Sequence, residues 1–203
     1  MRIARQNRWD LPVEEALCLQ RRLAAAVDTS ARLGRVRLVA GADAAYHPDG
    51  ERLVAAVVVV ALQGLEVVEE ATARASPTPA ASASPVISAT ASTCRPSAAP
   101  RRLAGEHGAV GAGRGSWSWL RDGRERLGVA LRTRDGVRPV YVSPGYAIGL
   151  RDARALVLRT CAGYRLPEPT RRANLLVNAL RRGELTPRPP GPASGRAAPA
   201  SGP

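Results

Sequence analysis

Apolar and polar positions follow two rhythms along this chain, and each predicts a kind of element. In residues 10–27, "DLPVEEALCLQRRLAAAV", the apolar positions Val13, Ala16, Leu17, Ala24 and Val27 recur at helical spacing. That spacing puts them on one face of an amphipathic helix. Asp10 and Pro12 suit its start, and Glu14 and Glu15 sit where the helix dipole favours negative charge. Three strands are then expected in quick succession: "VRLVAGADAAY" at 36–46, "LVAAVVVVAL" at 53–62 and "LEVVEE" at 65–70. The links "HPDG" and "QG" read as hairpin turns, so the three form an antiparallel meander. The middle strand is so uniformly apolar that burial on both faces is predicted. Further on, two strands at 126–133 and 138–142 meet at the turn "RDG", and a helix runs from Leu150 to Ala162, closed by Gly163.

Between these regions the pattern stops. Residues 74–100 contain 22 Ala, Ser, Pro or Thr out of 27, with no acidic and no aromatic residue. Such a stretch buries too little apolar area to offset its ordering entropy and is expected to be disordered. The same holds for the tail from Gly183 to Pro203. The domain organisation follows: 1–73 and 101–182 as two parts of one domain, 74–100 as a low-complexity segment between them, and 183–203 as a tail.

Composition changes this picture little. A formal charge of +13 invites nucleic acid as a partner, because basic surface neutralises phosphates and releases counterions. The basic residues are all Arg, however, and Ala, Gly and Pro abound, as a GC-rich coding sequence alone would give. A phosphate-binding face and a merely solvated surface therefore stand side by side. No apolar run is long enough to cross a bilayer, and "MRIARQNRWDLP" lacks the apolar stretch of a secretory signal. A cytoplasmic protein with no membrane contact is expected. Cys18, Cys94 and Cys161 lie too far apart for paired metal-ligand spacing and read as small hydrophobes.

One residue breaks the apolar pattern of the first strand. Asp43 lies between Ala42 and Ala44, and an unpaired carboxylate in apolar surroundings protonates, pairs with a cation or binds a metal. Near a strand end it could equally cap a turn or pair with an arginine. Four blocks in order then show what the chain resembles: "EEALCLQRRLAAAV", "VRLVAGADAAY", "GSWSWLRDG" with "LGVALRTRDGVRPVYVSPG" at 115–145, and "GYRLPEPTRRAN" at 163–174. Together they resemble the endonuclease V family, the deoxyinosine-directed DNA repair nucleases. The likeness covers roughly residues 10–73 and 101–182.

The resemblance implies an α/β, RNase H-like mixed sheet with flanking helices, incomplete in this chain. It implies a Mg2+-dependent endodeoxyribonuclease that cuts the phosphodiester backbone near deoxyinosine, with Asp43 as a metal ligand and catalytic residue. Its partner would be DNA, single-stranded or inosine-containing, and no protein partner is inferred. Other parts of the family's site are missing. An aromatic-proline wedge, a helical Glu and an Asp-Gly strand should follow the third strand, yet only Glu69, Glu70 and Glu106 lie nearby. Tyr146 stands in "SPGYAIGL" where the family has His, and His47 and His107 sit in turn-like surroundings. Asp43 alone makes a weak site for a hard cation, which takes several oxygen ligands.

Residues 74–100 admit two readings. One is a genuine disordered insert that replaces the active-site region. The other is translation out of frame: codons for Ala75 to Thr78, regrouped one base earlier, can read Phe-Pro-Tyr, the expected wedge. That reading requires the Ala75 and Pro77 codons to end in T. Two functions follow, an impaired endonuclease or a catalytically inactive remnant that holds nucleic acid. Candidate contacts to the backbone are Tyr164, Arg165 and Arg171, which the "GYRLPEPTR" stretch exposes after a helix. The alternative is a structural turn that packs the C-terminal helix. Trp117 and Trp119 read as packing residues or as base-stacking ones.

Overall fold

A computed structural model of the chain describes residues 11–25, 28, 30, 33–75, 92–94 and 106–187. The first helix, α1 (Val13–Ala25), carries Glu14 and Glu15 in its first turn and Arg22 in its last, which suits the helix dipole. Asp10 and Val27, expected at its ends, lie outside the described residues. Its apolar stripe stays open to solvent, with Val13 and Leu17 both exposed.

β1 (Leu38–Tyr46), β2 (Leu53–Ala61) and β3 (Val67–Ala75) form the expected antiparallel meander, in the order β1-β2-β3. In the first hairpin Asp43 stands opposite Ala56. Gly50, at φ 74°, donates to the His47 carbonyl at 2.9 Å and closes the turn. The second turn is wider than "QG" suggests. It takes in Leu65 in the left-handed region at φ 56°, and Ala61 N–H donates to the Glu66 carbonyl. β3 therefore starts two residues late and runs on to Ala75, which pairs with Leu53.

That extension corrects the reading of 74–100 as wholly disordered. Arg74 and Ala75 belong to β3, and Ser92–Cys94 form a short strand, β4. An open strand edge offers backbone hydrogen bonds to any chain that reaches it, so poor side chains do not prevent pairing. Residues 76–91 and 95–105 lie outside the described residues, as do 188–203 of the expected tail.

The second sheet holds β4, β5 (Glu106–His107), β6 (Trp117–Asp122), β7 (Glu125–Leu131) and β8 (Val140–Ser143), in the order β4-β8-β7-β6-β5 with antiparallel pairings. β6 was not anticipated, although "WSWL" carries the two-residue alternation of a strand. α2 (Leu150–Thr160) and α3 (Glu168–Arg181) complete the α/β architecture.

Two apolar clusters hold these layers. Val129, Leu131, Val140, Val142 and Ile148 meet Leu156 and Val157 of α2. Val54, Ala56, Val58 and Val60 of β2 meet Ala173, Val177 and Leu180 of α3. The prediction that β2 is buried on both faces fails: Val57, on the opposite face, is 41% exposed, and Ala55 and Val59 are only partly covered. Among the described residues, α3 covers one face of this sheet. Several arginines serve the fold. Arg114 donates to the carbonyls of Thr133 and Leu158, and Arg132 to those of Val110, Gly111 and Val137. No helix among the described residues is long and apolar enough to cross a membrane.

Candidate metal and nucleic-acid site

The site is built where α3 lies on β1. Alternation along the strand turns Val39, Gly41, Asp43 and Ala45 to the α3 side, and Val39 and Ala45 pack against the α3 cluster. Gly41 permits the approach: a Cβ there would lie 2.3 Å from the Pro169 carbonyl carbon and the Thr170 nitrogen. Pro169 itself suits the first turn of α3, where its missing N–H leaves no bond unmade. One turn further, Asn174 Nδ2 donates to Asp43 Oδ2 at 2.6 Å. Asn178 in turn donates to the Asn174 carbonyl at 2.9 Å and reaches its Oδ1 at 3.3 Å. Among the described residues the strand acid neither caps a turn nor pairs with an arginine; it accepts an amide hydrogen from a helix residue 131 positions away.

Asn174 is the site residue that sequence reasoning missed. It sits at the end of "GYRLPEPTRRAN", and its spacing of four from Thr170 is the available signal: if the first turn of α3 meets Gly41, the next turn meets Asp43. The other acids do not join them. Among the described residues no three His, Cys, Asp or Glu side chains are grouped to hold a metal ion. Glu69, Glu70 and Glu106 are exposed on β3 and β5. His47 lies in the β1–β2 turn, 2.9 Å from Asp49 Oδ2 and 3.1 Å from Arg52 Nη2. The His107 ring rests on Tyr141, and Tyr146 stands exposed on the loop between Gly145 and Ile148.

As a donor set, Asp43 and Asn174 supply one carboxylate and one amide. Mg2+ demands six oxygens in near-octahedral array and draws the rest from water and substrate phosphate. These two residues fall short of a protein-built cation site.

The predicted backbone contacts have partners within the protein. Arg171 clasps Glu168 with two bonds of 2.8 and 2.7 Å, while Arg172 donates to the same carboxylate at 2.8 Å. The Arg171 bonds above all hold the Glu168 carboxyl far below its usual range, at about 2, against the opposing pull of burial. The Arg171 guanidinium also lies 4.3 Å over the Tyr164 ring, a cation–π contact. Arg165 donates to the carbonyls of Arg138 and Pro139 at 2.9 and 3.2 Å, and its own carbonyl accepts from Thr133 Oγ1. All three therefore help to pack the turn into α3. Trp117 and Trp119 stack edge to face at 5.2 Å, with Arg154 over one ring and Arg126 over the other.

Comparison with known proteins gives the family and the fold. Residues 96–175 match the Endonuclease V family signature. The endonuclease V of Roseiflexus castenholzii is 34% identical over 218 residues, covering 88% of this chain and 97% of that protein. The chain belongs to the endonuclease V family. A more local match, 50% identity over 84 residues, covers 41% of this chain and 36% of the endonuclease V of Geotalea uraniireducens. Among solved structures, the endonuclease V of Streptomyces avermitilis superposes with a TM-score of 0.68 at 30% identity, covering 87% of this chain and 96% of that one. The fold is also that of Ciona intestinalis endonuclease V, at a TM-score of 0.60 and 14% identity over 85% of this chain and 98% of that one; that protein was solved with a 24mer DNA containing an inosine followed by a ribo-adenosine.

Proposed function

We propose that this protein is a DNA repair endonuclease directed to deoxyinosine, with hydrolysis impaired by an incomplete set of metal ligands. Asp43 is the carboxylate on which Mg2+ would rest, with Asn174 beside it and substrate phosphate and water completing the shell. When bound, the cation would activate water and neutralise charge on the phosphodiester. The observation that carries the reading is the 2.6 Å bond between Asp43 and Asn174, which brings a strand acid and the last helix together at one point. Family membership and the inosine-bearing DNA held by the Ciona protein support the substrate. Tyr164, in the loop before α3, and Arg171, in its first turn, are proposed to meet the backbone of that DNA, and Arg165 to hold the loop beside them.

A nicking assay on an inosine-containing duplex tests this. Slow, Mg2+-dependent cleavage near the lesion is expected, and Asp43→Ala abolishes it. Asn174→Asp adds a second carboxylate beside the first and speeds the cleavage. Nicking that survives Asp43→Ala removes Asp43 from the chemistry. A second reading, a remnant that binds nucleic acid without cutting it, is favoured by the neutral amide at position 174 and by the lack of a three-ligand group among the described residues. It is the correct one if the inosine duplex is retained in a binding assay and stays intact at every Mg2+ concentration.

A further inference from the structure

A second charged feature lies at the opposite end of β1 from Asp43. Between the segment 33–38 and α2 opens a cleft of about 800 Å3. Its floor is apolar, with Leu62 and Leu156 buried beneath it. Three arginines line it: Arg35 and Arg37 from the approach to β1, and Arg159 from α2. All three are exposed. α2 presents the cleft with one face, since Asp152, Leu156 and Arg159 fall at helical spacing. Among the described lining residues the three arginines outnumber one acid, Asp152, which leaves a net positive charge; Asp152 Oδ2 accepts the Leu33 backbone N–H at 2.9 Å and fixes the segment that carries Arg35 and Arg37.

We propose that this cleft is a second nucleic-acid contact, taking the sugar-phosphate backbone of a strand that flanks the lesion. Guanidinium forks match phosphate oxygens in pairs, and an apolar floor between them accepts sugar and base faces without reading sequence. Volume agrees, because ligand clefts span about 300–1,000 Å3. From Arg37 to Asp43 is six residues of extended chain, roughly 20 Å at about 3.3 Å per residue. At about 3.4 Å per nucleotide of a stacked strand, the contact lies some six nucleotides from the point of cleavage. The inference rests on the proposed function for its choice of partner, and its test is independent of cleavage.

The test measures binding of a single-stranded oligonucleotide without inosine, and of a matching duplex, over a range of salt, for the full chain without Mg2+. Replacing Arg35, Arg37 and Arg159 by Ala together should lower the slope of log affinity against log salt by about 2 on the single strand, at about 0.7 per phosphate contact. A control with the same loss of charge, Arg121, Arg124 and Arg134 to Ala, should change the slope by less than half as much; these residues are exposed on the β6–β7 hairpin and the following turn. Circular dichroism and melting temperature confirm that both variants fold. Asp43→Ala leaves the slope unchanged while removing any nicking, so failure of the catalytic reading and failure of the cleft are separate results. Equal slopes for the two triple variants overturn the proposal. So does polyglutamate or ATP binding that the cleft substitutions abolish while the oligonucleotide slope stays intact, since the cleft would then take an acidic peptide or a free nucleotide.

Discussion

β2 and β7 make an instructive pair. β2, "LVAAVVVVA", is the most apolar strand in the chain, yet it is buried on one face only. β7, "ERLGVAL", begins with charge, yet its last four residues, Gly128 to Leu131, are all buried. The difference is what lies against each. β2 has α3 on one side, and Val57 on the other is 41% exposed, with Leu38, Tyr46 and Val68 exposed around the same sheet. β7 is central in a five-stranded sheet, where Val129 and Leu131 meet α2. Within the sheet Gly128 lies so close to its neighbour β8 that a Cβ would stand 2.3 Å from the Val142 oxygen. Side-chain apolarity measures what a strand would gain from burial; neighbours decide whether it is buried.

Substitutions can break this comparison in order of expected size. Leu131→Ala, at a fully buried site, should destabilise the fold by about 4 kcal/mol, from lost transfer energy and the cavity left behind. Urea denaturation measures it, and a loss below 1 kcal/mol would mean that β7 is less enclosed than its neighbours imply. Glu168→Gln should cost about 3 kcal/mol, because Arg171 and Arg172 lose a charged partner at a nearly buried site. Its pH dependence has a definite sign. The folded value, about 2, lies below the usual 4.5, so the stabilisation is complete above about pH 4.5 and is lost as pH falls toward 2. Acid titration of the wild type should show this loss, and Glu168→Gln should flatten it.

Gly41→Ala should cost about 2 kcal/mol by pushing the first turn of α3 off β1. It should also lower any Asp43-dependent nicking, because Asn174 moves with the helix. A normal melting temperature in this variant would place α3 further from β1 than the geometry here. At the small end, Val57→Thr on the open face of β2 should change stability by less than about 0.5 kcal/mol. A loss above 2 kcal/mol would reveal that something covers this face in solution. Thiol labelling adds a kinetic contrast. Cys18 is exposed and should react quickly, whereas burial pushes the Cys161 thiol up to about 11 and keeps it protonated and slow.

Local pattern made much of this legible in advance. α1, the meander and α2 follow from periodicity, since amphipathic spacing and turn residues act over a few positions. β6 and the end of β3 escaped for different reasons. "WSWLRD" carries too few alternations to stand out beside its glycines, and the last residues of β3 are strand because β2 offers them partners, not because Thr72 to Ala75 are apolar. Asp43 stands out in the sequence as an acid that needs an explanation. Its amide partner was not foreseen, because Asn174 reads in isolation as one polar position on a helix.

Local pattern, then, specifies α1, the meander and α2, the family blocks in their order and the presence of one acid in an apolar strand. All of these are encoded in neighbours a few residues apart, where backbone geometry leaves few choices. Tertiary structure alone decided which face of β2 is covered, and it alone tied the Arg114, Arg132 and Arg165 guanidinium groups to backbone carbonyls of distant segments. It also set Asn174 against Asp43 and opened the arginine-lined cleft at the far end of β1. These contacts join residues up to 131 positions apart, and burial and hydrogen bonding depend on which surfaces meet in space, a quantity that no local window of the chain contains.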